Sequence, residues 1–248
     1  MARPFLTARW TDLVLANYRA PVELLRPHVP PGSELDTPDG APDLHLVSVV
    51  AFRFAGLRVF GLPLPTAGDF PEVNLRCYVR RGERRAAVFL NEYVPAHLVV
   101  IGARLLYRQP YRLAEISHRV QGGGEAIEVR TTFARGDRRG EIRLRAANRP
   151  ETPPESSVEH FLKEHYWGFD RGRRGTGFRY RVDHPVWRTF PVEEHHIAID
   201  PATLGDERWR EVDWRERLHS VLFAEGSAAT IYTGEPLVGP DDPAPTFP

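Results

Sequence analysis

Apolar and polar residues alternate with period two along much of this chain, the spacing of strands with one face turned toward a core. The stretch FPEVNLRCYVR, Phe70 to Arg80, shows it most clearly. On a strand, Val73, Leu75, Cys77 and Val79 form an apolar ladder, while Glu72, Asn74, Arg76 and Tyr78 share the opposite face. That second face is either wetted at a sheet edge or turned into an enclosed space. The pattern alone leaves both open, because antiparallel sheets often keep one face in water.

Further strands are expected on both sides of it. Leu13 to Tyr18 reads as a short strand, and Pro21 opens a helical turn through Val22, Leu24 and Leu25. Asp43 to Phe54, rich in β-branched and aromatic residues, predicts a long buried strand, with His45 near its start as a core group. Gly82 turns the Phe70 strand back into Ala86 to Tyr93 as a hairpin. Pro95 to Tyr107 is apolar nearly all round and predicts a buried helix that Pro110 terminates. Tyr111 to Val120, Glu125 to Phe133 and Glu141 to Ala147 alternate between glycine-rich breaks and predict an antiparallel meander.

Ser156 followed by Glu159 reads as a capping box. In the helix it opens, Val158, Phe161, Leu162 and His165 share a face, and Lys163 lies away from it, placed for a surface ion pair with Glu159. Phe178, Tyr180, Val182 and His184 alternate into another strand. DERWREVDWRERL forms a short charged helix anchored by Trp209 and Trp214, and Ser220 to Tyr232 supplies the last strand or two. Residues 239–248 read as an extended tail. With no internal repeat and no linker-like break, the 248 residues are expected to form a single domain.

Net charge is zero, which removes the electrostatic case for nucleic acid or an anionic membrane as a partner. The chain has no apolar run of membrane-spanning or signal-peptide length and a single cysteine, so a cytoplasmic location is expected. Cys77, on the apolar ladder, is expected in the core rather than at a reaction centre. Of 33 basic residues only Lys163 is a lysine, so a Schiff-base mechanism would have to use it or the α-amino group. Glu193, Glu194, His195 and His196 are the densest set of potential metal ligands, but strand alternation puts only two on a face where zinc wants three or four. No metal or organic cofactor is expected. HExxH, GxSxG, paired CxxC, Walker and Rossmann signatures are all missing from the sequence.

Four motifs in order, FPEVNLRCYV, ARLLYRQPYRLAEIS, SSVEHFLKEHY and VDHPVW, resemble the YqjF-like family of uncharacterised bacterial proteins, which is similar in fold to acetoacetate decarboxylase. The resemblance implies a mainly β (α+β) single domain, an antiparallel cone or barrel-like sheet enclosing a pocket, with a few peripheral helices. It implies Glu72 inside the cone, and it also admits a homo-oligomer. Where the decarboxylases carry two adjacent lysines after a proline, this chain has Tyr111 and Arg112 after Pro110, so imine chemistry is not expected. The remaining groups suit lyase, isomerase or hydratase chemistry on a small oxo acid or a similar carbonyl- or carboxylate-bearing ligand. Glu72 and Tyr111 are then the catalytic candidates, and Asn74, Arg76, Tyr78 and Arg112 the substrate-binding ones. A non-catalytic small-molecule binding protein is the alternative, and Glu72 with Arg76 as a purely structural ion pair stays open beside both.

Overall fold

The computed structural model describes residues 3–64, 68–100, 111–172 and 177–237. In chain order these form β1 (Pro4–Arg19), α1 (Val22–Leu25), β2 (Glu34–Leu35), β3 (Leu46–Val59), β4 (Leu62–Pro63), β5 (Phe70–Arg81) and β6 (Arg84–Val94). Then come β7 (Tyr111–Leu113), β8 (Glu115–Gly123), β9 (Ala126–Arg135), β10 (Arg138–Ala147), α2 (Val158–Lys163), β11 (Trp167–Asp170) and β12 (Gly177–Asp183). β13 (Thr189–Phe190), β14 (Val192–Ile197), α3 (Pro201–Leu204), β15 (Leu218–Tyr232) and β16 (Glu235–Leu237) complete the set.

Seven strands pair in the order β15-β1-β3-β5-β6-β11-β12, and β12 pairs back onto β15 through Val182 opposite Ile231, so the sheet closes as a ring. Every junction is antiparallel except β6 with β11. A second antiparallel sheet, β14-β10-β9-β8, covers part of the outer surface. Its alternation is two-sided. Val129, Phe133, Ile142 and Leu144 point at the ring and are buried with Val73, Leu75, Cys77 and Val79 of β5, while Glu128, Arg130, Arg143 and Arg145 face outward. The other face of the ring encloses a separate apolar cluster with Leu15, Val50, Phe52, Phe54 and Trp187. β5 is therefore buried on both sides, and the wet edge strand that its pattern permitted does not occur.

Several expectations hold with shifted bounds. The 43–54 strand runs Leu46–Val59, the first strand runs Pro4–Arg19, and the Gly82 hairpin forms. Cys77 is fully buried. Trp209 and Trp214 stack at 5.6 Å, and the Trp214 indole N–H donates to the Trp209 carbonyl at 2.7 Å, anchoring a 3-10 turn. Of the helix expected over Pro95 to Tyr107, residues 97–100 are helical and the remainder lies outside the described residues, as does the tail.

Two corrections concern α2. Its N-cap is Ser157, whose hydroxyl accepts from the His160 N–H at 3.1 Å, not Ser156. Lys163 is buried rather than solvated, and pairs with Glu164 at 2.5 Å rather than with Glu159. The helix is only six residues long, and its last turn dips into the ring's interior cluster, carrying Lys163 with it.

The β1–β15 junction shows how the ring bends. A register break between Thr11 and Val14 on the β1–β3 side coincides with Asp12 at φ 59°, and Gly226, paired with Thr11, sits at φ 72°. A methyl group on Gly226 would overlap the Trp10 carbonyl oxygen. Gly226→Ala is expected to cost about 2–4 kcal/mol, combining left-handed strain with the overlap. Urea denaturation checks it, and an unchanged midpoint would mean that this bulge is not formed as described.

Candidate functional site

Three neighbouring strands bring four polar side chains together inside the ring. Glu72 and Asn74 project from the same face of β5, Asn74 lies opposite Glu92 on β6, and Glu92 lies beside Tyr111 on the parallel β7. Residues side by side on adjacent strands share a face, so all four point inward. Asn74 Nδ2 donates to Glu72 Oε1 at 2.9 Å, and the Tyr111 hydroxyl donates to Glu72 Oε2 at 3.0 Å. Tyr111 also hydrogen-bonds Glu92, whose second carboxyl oxygen has no partner among the described residues.

Burial pushes the Glu72 carboxyl up to about 7, against the pull of Asn74, Tyr111 and the Arg76 charge in the other direction. Glu92 is driven well above the ordinary carboxylate range, by burial first and by the Glu72 charge second. Burial and the two acids keep the Tyr111 phenol protonated. A tyrosine hydroxyl has one proton, so Tyr111 donates to Glu72 or to Glu92 and not to both at once. Of the two acids, Glu72 is the one that titrates near neutrality.

These groups line a cavity of about 210 Å³ whose remaining wall is largely apolar, including Trp10, Phe52, Phe54, Leu57 and Phe70. Arg76 also lines it. Its Nη2 donates to the Leu162 carbonyl at 2.8 Å, and among the described residues no carboxylate lies within ion-pairing distance of it. The Glu72–Arg76 ion pair considered from sequence does not form. α2 thus positions the guanidinium through a backbone oxygen.

Of the six residues singled out from sequence, Glu72, Asn74, Arg76 and Tyr111 meet at the cavity. Tyr78 and Arg112 do not line it. The Tyr78 hydroxyl is engaged by Ser48 at 2.6 Å and by the Leu162 carbonyl at 3.2 Å, and Ser48 in turn donates to Asn17, a buried chain that ties β1, β3, β5 and α2 together. Arg112 is exposed and donates to Asn91 Oδ1 at 2.9 Å. Glu92 was not anticipated from sequence. His195 and His196 are exposed on β14, and Glu193 pairs with Arg145 at 2.6 Å. Among the described residues no group of three His, Cys, Asp or Glu side chains is arranged to hold a metal ion, and no helix is long and apolar enough to cross a membrane.

The family model DUF2071, described as an uncharacterized conserved protein, matches residues 7–228. The uncharacterized protein YqjF of Bacillus subtilis (strain 168) is 32% identical over 200 residues, 78% of each chain. Among solved structures, the acetoacetate decarboxylase of Legionella pneumophila superposes with a TM-score of 0.62 at 15% identity, over 96% of this chain and 88% of that one. The enduracididine biosynthesis enzyme MppR, complexed with pyruvate, superposes with a TM-score of 0.63 at 14% identity, over 96% of this chain and 92% of the other. The acetoacetate decarboxylase-like fold expected from sequence is the one observed.

Proposed function

For a chain that belongs to the DUF2071 family and wraps its fold around a buried carboxyl pair, we propose an enzyme that binds a small oxo acid in the ring's cavity and moves a proton at it. The observation that carries this reading is Glu72, held near neutrality between two hydrogen-bond donors and facing the cavity. A carboxyl titrating near working pH serves as both general acid and general base. Arg76 supports the acid half of the ligand. A buried guanidinium without a carboxylate beside it gains most from one supplied by a ligand. Tyr111 is positioned to donate to a carbonyl oxygen once Glu72 has taken up a proton. The pyruvate held by MppR on a similar fold points to the same ligand class.

Lyase, isomerase or hydratase chemistry needs no more than this, and imine formation is not invoked. Lys163 is locked against Glu164 away from the cavity lining. That same fact favours the second reading, a non-catalytic binding protein on the decarboxylase fold. The two separate in one experiment. A thermal-shift screen of 2-oxo and 3-oxo acids is expected to find a ligand that adds about 2.7 kcal/mol at 100 times its Kd. With that ligand, Tyr111→Phe is expected to move the Glu72-dependent limb of the pH–rate profile upward, because the phenol's hydrogen bond is one of the interactions holding that carboxyl down. Binding without turnover at any pH would favour the binding protein, and no stabilisation by any oxo acid would reject both.

A further inference from the structure

The cavity's polar groups stand on the inward positions of β5 from Glu72 to Arg76 and on β6 and β7 beside them, whereas the next inward position, Phe70 opposite Phe54, begins an apolar stretch of wall. A small acid such as pyruvate would engage Glu72, Tyr111 and Arg76 and leave the apolar stretch uncovered, with Phe54 stacked on Phe70 at 4.9 Å and Trp10 set edge-on to Phe52 at 5.9 Å. An apolar cavity of about 150 Å³ accommodates benzene. The 210 Å³ here therefore exceeds what a bare oxo-acid head requires by roughly an aryl group.

The surface beside the cavity extends the same chemistry outward. Phe60 and Leu62 are 60% and 72% exposed on the β3–β4 hairpin, and Leu98 is 55% exposed. Each adjoins the cavity wall. Phe60 packs edge-on against Phe5 at 4.9 Å, Leu62 pairs with Val59, and Phe5, Val59 and Leu98 are themselves lining residues. The left-handed φ of Phe60, 49°, is set by the fold, since Phe60 and Gly61, at φ 79°, are the two-residue turn between Val59 and Leu62. Its ring, by contrast, gains only the edge-on Phe5 contact and is otherwise left in water. That exposure is accounted for if this rim receives an apolar group.

We infer that the substrate is an oxo acid bearing an aryl or medium-length alkyl tail, its head at Glu72, Tyr111 and Arg76 and its tail along Phe52, Phe54 and Phe70 toward the Phe60–Leu62–Leu98 rim. This rests on the oxo-acid reading of the same site and adds to it the apolar half of the ligand. The exclusion of water from that half is then supplied by the ligand itself.

Isothermal titration of the full chain with pyruvate, 2-oxobutanoate, 2-oxohexanoate and phenylpyruvate tests it, with 3-phenylpropan-1-ol as a probe that has the tail but no oxo-acid head. Each added methylene is expected to tighten binding roughly three- to fourfold, and phenylpyruvate to bind on the order of ten- to a hundredfold more tightly than pyruvate. Leu57→Trp, which narrows the apolar stretch, is expected to shrink that ratio. Equal affinities across the series in the wild-type chain would overturn the tail and leave the oxo-acid reading standing. Binding of the alcohol as tight as that of phenylpyruvate would support the tail and overturn the oxo-acid head. Failure of all five probes to bind would overturn both.

Discussion

Glu72→Gln is expected to lower turnover on a bound oxo acid by about 10²–10⁴ while making the protein more stable at pH 8. The stability gain follows from linkage. Unfolded, this carboxyl titrates near 4.5, and folded it titrates near 7. Between those values the folded state keeps a proton that the unfolded chain releases, so wild-type stability falls as pH rises through the window. Below about 4.5 both states are protonated and the residue contributes nothing. Above about 7 the loss is complete, on the order of 3 kcal/mol. Glutamine cannot ionise and offers an acceptor to Asn74 or Tyr111, so at pH 8 the variant should gain on the order of 2 kcal/mol and at pH 4 almost nothing. Urea denaturation of both proteins at the two pH values measures the difference. Equal destabilisation at both would make Glu72 a structural group whose carboxylate the fold requires, and the catalytic assignment would fall.

The faces of β5 were legible from its alternation, and so was the company of Glu72, Asn74 and Arg76 on one side of it. What alternation could not reveal was where that side pointed, because the answer depends on β12 meeting β15 through Val182 and Ile231, far apart in sequence. Glu92 shows a different limit. Counting back from the Gly82 turn, Arg81 faces Arg84 and Arg76 faces Phe89, and the same count would set Asn74 opposite Asn91. A bulge between Leu75 and Arg76 shifts the register by one, so that Glu92 faces Asn74 instead. A one-residue slip turns every later side chain to the other face. The second carboxyl of the site is thus delivered by an irregularity that no periodicity announces. The alternation makes Tyr111 the start of the meander, but the strand ends at Leu113, so that β7 joins the ring while β8 joins the outer sheet.

Lys163 is the residue on which sequence and structure differ most, and Lys163→Met is expected to be the most damaging single change outside the cavity. Its side chain is fully enclosed, and Glu164 beside it accepts from the Lys163 ammonium at 2.5 Å, the Tyr166 hydroxyl at 2.6 Å and the Trp187 N–H at 3.1 Å. Burial alone would push the Glu164 carboxyl up, but these three donors outweigh it and hold the group below its ordinary value, so it stays charged. Removing the ammonium strands that charge in the interior, at a cost of about 3–5 kcal/mol and a fall in Tm of roughly 6–20 °C. Lys163→Met combined with Glu164→Gln should recover most of the loss, since the amide still accepts from Trp187 or Tyr166 and no ion is left unpaired. The damage should also reach the cavity. Leu162, one residue earlier, holds Arg76 through its carbonyl, so the single variant should weaken oxo-acid affinity more than the double variant does. A Lys163→Met protein that keeps its wild-type Tm yet loses all turnover would point the other way, to an amine acting in the chemistry rather than in the packing, and would reopen the imine route that its ion pair with Glu164 argues against.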